Sequence, residues 1–144
     1  MKKITALLLT AFLATTLAMA QEDEMKPEKY KDPSIYSITY IKFHPGKMGR
    51  AQEIIKDYFM KASEEAKTDV PMMTMSMMSG KWQMMTIWKS DLADMEWKMS
   101  PDGVKWWDAM VELAGSEEEA VKIREEYVSL IADSTSEMAR ATEW

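Results

Sequence analysis

Between Ser34 and His44 the chain carries Ile, Tyr and Thr at most positions and no helical spacing, which predicts a strand over 34–44. Pro45 cannot continue a ladder and Gly46 supplies a turn. From Lys47 the period changes. Met48, Ala51, Ile54 and Ile55, Tyr58, Ala62 and Ala66 recur at three- and four-residue steps with charged residues between them, the pattern of an amphipathic helix ending near Lys67. Residues 70–79 and 82–89 read as two strands joined by Gly80-Lys81 in a tight two-residue hairpin. Ser90-Asp91 is placed to cap a helix with Leu92, Met95 and Met99 on its apolar side, interrupted by Ser-Pro-Asp-Gly at 100–103. A second helical stretch, 104–114, is apolar on two faces and stops at Gly115. Ser116 with Glu119 forms a capping box for a short acidic helix to about Glu126. Over 127–141 the pattern suits either a helix end or a strand.

The predicted order is therefore β-α-β-β-α-(α)-β. This is an α+β chain on the ferredoxin-like plan, with an antiparallel sheet carrying its helices on one face. The second face of such a sheet needs a cover of its own.

The first twenty residues add an address. Lys2 and Lys3 precede the apolar stretch Ile4 to Leu17, and Ala18-Met19-Ala20 has the small-x-small form of a cleavage site, so 1–20 reads as a signal peptide with periplasm or secretion as destination. Residues 21–33, charged and holding two prolines, read as a flexible linker, leaving 34–144 as the folded domain. Removing twenty of the 144 residues leaves 124, enough for one ordinary domain. Loss of the two lysines moves the formal charge from −6 to −8, an acidic balance that argues against nucleic acid and anionic membranes as partners. With no Cys, no disulfide supports the fold.

Two stretches carry a family resemblance. YSITYIKFHPGKMGRAQEIIKDYF (36–59) is a strand that closes on Pro-Gly-Lys and opens directly into a long helix, and GKWQMMTIWKSDLADMEWKMSP (80–101) is a strand running into Ser-Asp-Leu. In these the chain resembles the dimeric α/β-barrel superfamily, and within it the NIPSNAP-like and antibiotic-biosynthesis-monooxygenase-like domains. The resemblance implies a homodimer in which two sheets pair face to face around a cavity, and it implies that 127–141 is the fourth strand. Some members degrade haem with an Asn, a Trp and a His; this chain contains no Asn, so that set does not carry over.

Alternation then divides each strand into two stripes. A two-residue hairpin places Met72, Thr74, Ser76 and Met78 on one face with Gln83 and Met85. That mixed face is assigned to the cavity, together with Tyr36, Tyr40, Lys42 and His44 of the first strand, as a wall with a few polar handles. His44 is the one histidine and a candidate acid/base residue, with Tyr40 beside it and Tyr36 a further candidate. Residues 70–90 hold seven methionines, soft ligands of the kind that take Cu(I) or Ag(I), but this register splits them between the two faces and points to lining rather than metal. The tryptophans are read as core or interface, with stacking on a flat ligand as the alternative. No phosphate loop, nucleophile elbow, His-x-x-x-His or EF-hand pattern occurs, and no cofactor is implied. Three functions compete: an exported small-ligand-binding protein, a cofactor-independent monooxygenase-like enzyme, and a periplasmic Cu(I)/Ag(I) binder.

Overall fold

The computed structural model describes residues 26–30 and 33–141. The chain divides into two units, 1–31 and 32–144. In the first, residues 26–30 are exposed and without regular structure. The expected signal peptide, most of the expected linker and the last three residues lie outside the described part. Among the described residues no helix is long and apolar enough to cross a membrane.

The second unit is a four-stranded antiparallel sheet in the order β2-β3-β1-β4, with β1 at Ile35–Phe43, β2 at Met73–Ser76, β3 at Met84–Ser90 and β4 at Ile131–Arg140. The ambiguous tail thus splits, with Tyr127, Val128 and Ser129 closing a helix and the residues after Leu130 forming the strand. Among the described residues three helices accompany the sheet. Helix α1 covers residues 48–66, as Met48–Ile54, a π-helical turn Ile55–Phe59, and Met60–Ala66. Helix α2 is Pro101–Ala114 and α3 is Glu117–Ser129. This is the expected ferredoxin-like α+β architecture.

The π turn follows from the spacing of α1. The steps Ile54, Tyr58, Ala62, Ala66 are four residues each, and each runs about 40° ahead of a 3.6-residue period. One wider turn takes up part of that drift. Before it, Ala51 and Ile54 are buried against Ile41, Phe43, Met84 and Leu130. After it, Ala62 is buried against Ala109 and Met110 of α2. Tyr58 and Phe59 belong to both clusters and join them. The Phe59 carbonyl accepts the Trp106 indole N–H at 3.2 Å, and the two rings meet edge to face at 5.6 Å.

Two expectations about helix ends change. Ser-Pro-Asp-Gly at 100–103 does not interrupt a helix but starts one: the Ser100 hydroxyl accepts from the Gly103 N–H at 3.0 Å, and Pro101 occupies the first turn with Asp102. The stretch after Asp91 makes only a 3-10 turn, Leu92–Glu96, closed by reciprocal capping between Asp91 and Asp94. Leu92, Met95, Trp97 and Met99 are all more than half exposed there. Gly46, at φ +76°, does occupy the left-handed turn that the Pro-Gly step required.

The hairpin is the largest correction. Thr74 faces Thr86 and Met75 faces Met85, one residue out of register with a hairpin closed at Gly80-Lys81. Residues 77–83 form a wider loop, held by the Met77 N–H on the Gln83 carbonyl and the Gln83 N–H on the Ile41 carbonyl, both at 2.9 Å. A one-residue slip exchanges the faces of a strand, so the stripes of β2 are the reverse of those expected.

Candidate functional site

The register sorts the sheet into a helix-side face and an open face. Ile41, Phe43 and Met84 are buried beneath the helices, which fixes the odd positions of β1 and the even positions of β2 and β3 on the helix side. Toward the other end of that same face the side chains turn polar or aromatic: Ser37 pairs with Trp88, Thr39 with Thr86, and the Thr39 and Ser136 hydroxyls lie 2.8 Å apart. The helices do not seal this end.

Between it and the α2 N-terminus lies an open cleft of about 660 Å³. Trp88 supplies its sheet side and Trp97 and Trp106 its helix side, with the hydroxyls of Ser37, Thr68 and Ser100 and the carboxylates of Asp69, Asp94 and Asp102 around them. Several of these groups are committed to structure. Ser100 and Asp94 cap helical turns, and Asp102 pairs with Lys105 at 2.9 Å. Among the described residues Ser37, Thr68 and Asp69 are not. The Thr68 hydroxyl oxygen is buried with no hydrogen-bond partner among the described residues, a state that costs about 1–3 kcal/mol when nothing bonds the group. Asp69, exposed beside it, has no ion pair or side-chain hydrogen bond among the described residues. Both follow the α1 C-terminus, where Lys67 takes a left-handed conformation (φ 53°) and turns the chain toward β2. The cleft therefore offers aromatic walls, the unpartnered hydroxyls of Ser37 and Thr68, and one free carboxylate. That combination suits a flat organic molecule with a hydrogen-bond donor.

The sequence-derived candidates fall elsewhere. Tyr36, Tyr40 and Met85 do share the open face, where Tyr40 pairs with Met85. Lys42 is on that face too, exposed and opposite Asp133. Thr74 and Ser76, expected with them, lie on the helix-side face, because the hairpin register is one residue different. Met72 and Met78 flank β2 outside its paired residues and are exposed. Gln83 serves the backbone: its side-chain oxygen accepts the Phe43 N–H at 2.7 Å, at the point where β1 and β4 slip register. His44 lies past the end of β1, exposed, its carbonyl accepting the Lys47 N–H at 3.0 Å, and it does not line the cleft.

One corner of the open face is covered by its own chain. The 77–83 loop brings Trp82 within 6.1 Å of the Tyr40 ring, Lys81 sits 4.3 Å over Trp82, and its ammonium pairs with Asp133 at 2.6 Å. That ammonium holds the Asp133 carboxyl below the usual carboxylate range. Sequence reasoning passed over Thr68 and Asp69 and treated Ser100 as a break. The available signal was the Ser-Pro-Asp start of α2, which places a helix N-terminus beside Trp97 and Trp106.

No protein-family model and no curated protein matches the chain. Solved structures do. A NIPSNAP family protein from Agrobacterium tumefaciens strain C58 superposes with a TM-score of 0.55 at 12% identity, covering 83% of this chain and 95% of that one. A second nipsnap family protein from the same strain, described as of unknown function, gives 0.55 at 10% identity over 82% of this chain and 96% of its own. At such identities the likeness shows the fold: a NIPSNAP-like, ferredoxin-like α/β domain.

Proposed function

We propose that this protein is an exported binder of a small organic ligand, taken up in the cleft between the helix-side end of the sheet and the start of α2. The observation that carries the reading is the Thr68 hydroxyl, buried and unpartnered at a cleft walled by Trp88, Trp97 and Trp106. The ligand class is a flat, largely apolar molecule bearing a hydroxyl or a protonated amine for Thr68 and Asp69. Export rests on Lys2, Lys3, the apolar stretch and Ala18-Met19-Ala20. Homodimer formation through the open face rests on the apolar Ile38, Met73, Met75 and Ile87, which no helix among the described residues covers.

The reading is tested with 1-naphthol and 1-naphthylmethylamine, followed through the tryptophan indole N–H resonances. One or both probes should bind below millimolar concentration and shift Trp97 and Trp106. Trp97→Ala, at a residue 57% exposed, should abolish binding and leave the fold intact. Thr68→Val should weaken binding while raising the melting temperature, since it removes an unsatisfied buried hydroxyl; a Thr68 that serves only the fold would leave binding unchanged and lower the melting temperature. Equal binding by wild type and Trp97→Ala, or none by wild type, rejects the cleft. Sedimentation of the protein at about 100 μM tests the dimer independently, and a monomer there rejects it.

A further inference from the structure

The register of β2 against β3 gathers sulfur atoms that a hairpin closed at Gly80-Lys81 would have divided. Met75 lies directly opposite Met85, and Met73, two residues along β2, projects from the same open face beside Ile87. Opposed Cβ atoms across an antiparallel pair are about 5 Å apart, and residues i and i+2 on one strand about 6.7 Å. Methionine is unbranched and flexible, so three thioethers on that triangle reach a common point above the sheet with no backbone movement. Met73 and Met75 are 46% and 37% exposed, so an ion in solution can reach them. The adjacent open-face positions are the apolar Ile38 and Ile87 and, directly opposite Met85, Tyr40, whose phenol oxygen is a harder donor than a soft ion selects. Among the described residues no group of three His, Cys, Asp or Glu is placed to hold a metal, so a hard or borderline divalent ion has no comparable site.

We propose that Met73, Met75 and Met85 form a thioether site for a soft monovalent cation, Cu(I) or Ag(I), on the open face of the sheet. Thioether sulfur selects such ions over harder ones. The site lies on the face opposite the tryptophan cleft and does not depend on it. A partner subunit over the open face would enclose the three sulfurs without removing them.

The probe is Ag(I), added as silver nitrate in chloride-free buffer to the purified protein carrying 13C-labelled methionine methyls. The methyls of Met73, Met75 and Met85 should shift together and saturate at about one ion per chain, while Met84 and Met110, buried on the helix side, stay in place. The triple change Met73→Leu, Met75→Leu, Met85→Leu keeps side-chain volume and should weaken Ag(I) binding by at least about tenfold. Cu(I) held reduced against a chromophoric chelator should show the same ranking. Absence of shifts at those three methyls overturns the proposal. So does a triple variant that binds as tightly as wild type, the outcome expected if the exposed Met72, Met77 and Met78 hold the ion instead. Should the triple variant fail to fold, the wild-type methyl map decides alone.

Discussion

Single residues on the helix layer set how the domain responds to pH. The Arg50 guanidinium holds Glu126 in a two-pronged bond at 2.7 and 2.8 Å, tying α1 to α3, and also reaches Glu53 at 3.2 Å. It keeps the Glu126 carboxyl below the ordinary carboxylate range. A depressed folded-state value contributes stability above the unfolded value and loses it as pH falls through the folded one. Glu126→Gln should therefore lower the melting midpoint at neutral pH, with the gap to wild type closing in acid as wild type loses the pair the variant already lacks. Because the pair is on the surface, the effect should also shrink at 1 M salt. Tyr127 behaves oppositely. Burial against Phe59 at 5.0 Å and Phe43 at 6.4 Å raises its phenol above 10. A raised phenol favours the folded state while protonated, so that contribution fades as pH climbs past the unfolded value near 10. Tyr127→Phe should melt with a flatter alkaline limb than wild type in a pH series of thermal scans.

The elements show what hydrophobic patterning conveys and where it stops. Strand β1, helix α1 and the Gly46 turn were legible because each expresses a local rule, alternation, three-to-four spacing, or positive φ at glycine. The β2–β3 register was not, because it depends on a loop of residues 77–83 whose bonds run to a third strand: Gln83 reaches Ile41 through its N–H and Phe43 through its side chain. No local signal in Gly80-Lys81 reveals those partners. The misread register carried the site with it, sending Thr74 and Ser76 to the wrong face and separating Met75 from Met85. Gln83→Ala tests this account of the loop. It leaves the part-buried Phe43 N–H without its acceptor and should cost about 1–3 kcal/mol in denaturant unfolding. Gln83→Glu, which retains an acceptor, should recover much of that loss. A cost no larger than that of an exposed substitution would mean the loop is held by its backbone bonds alone.

At the scale of the molecule, the two faces of one sheet present different chemistry. The helix side holds the core at one end and the tryptophan cleft at the other, while the open side presents apolar and sulfur-bearing residues. The fold class was readable from element order; the cleft was not, since Thr68, Trp97 and Trp106 come from three segments that meet only when α2 starts at Pro101. The placing of β4 beside β1 has a further outcome. Ile35 stands opposite Arg140, and the Ala141 N–H bonds the Ser34 carbonyl at 3.0 Å, so the domain begins and finishes at one spot. A gene rearranged to join these ends through a short linker and to open the chain at the exposed Gly80 should still yield the same domain by circular dichroism. Lying at adjoining points of the sheet's rim, the ends let the domain be spliced into a host protein's surface loop with little need to part the loop's two stems.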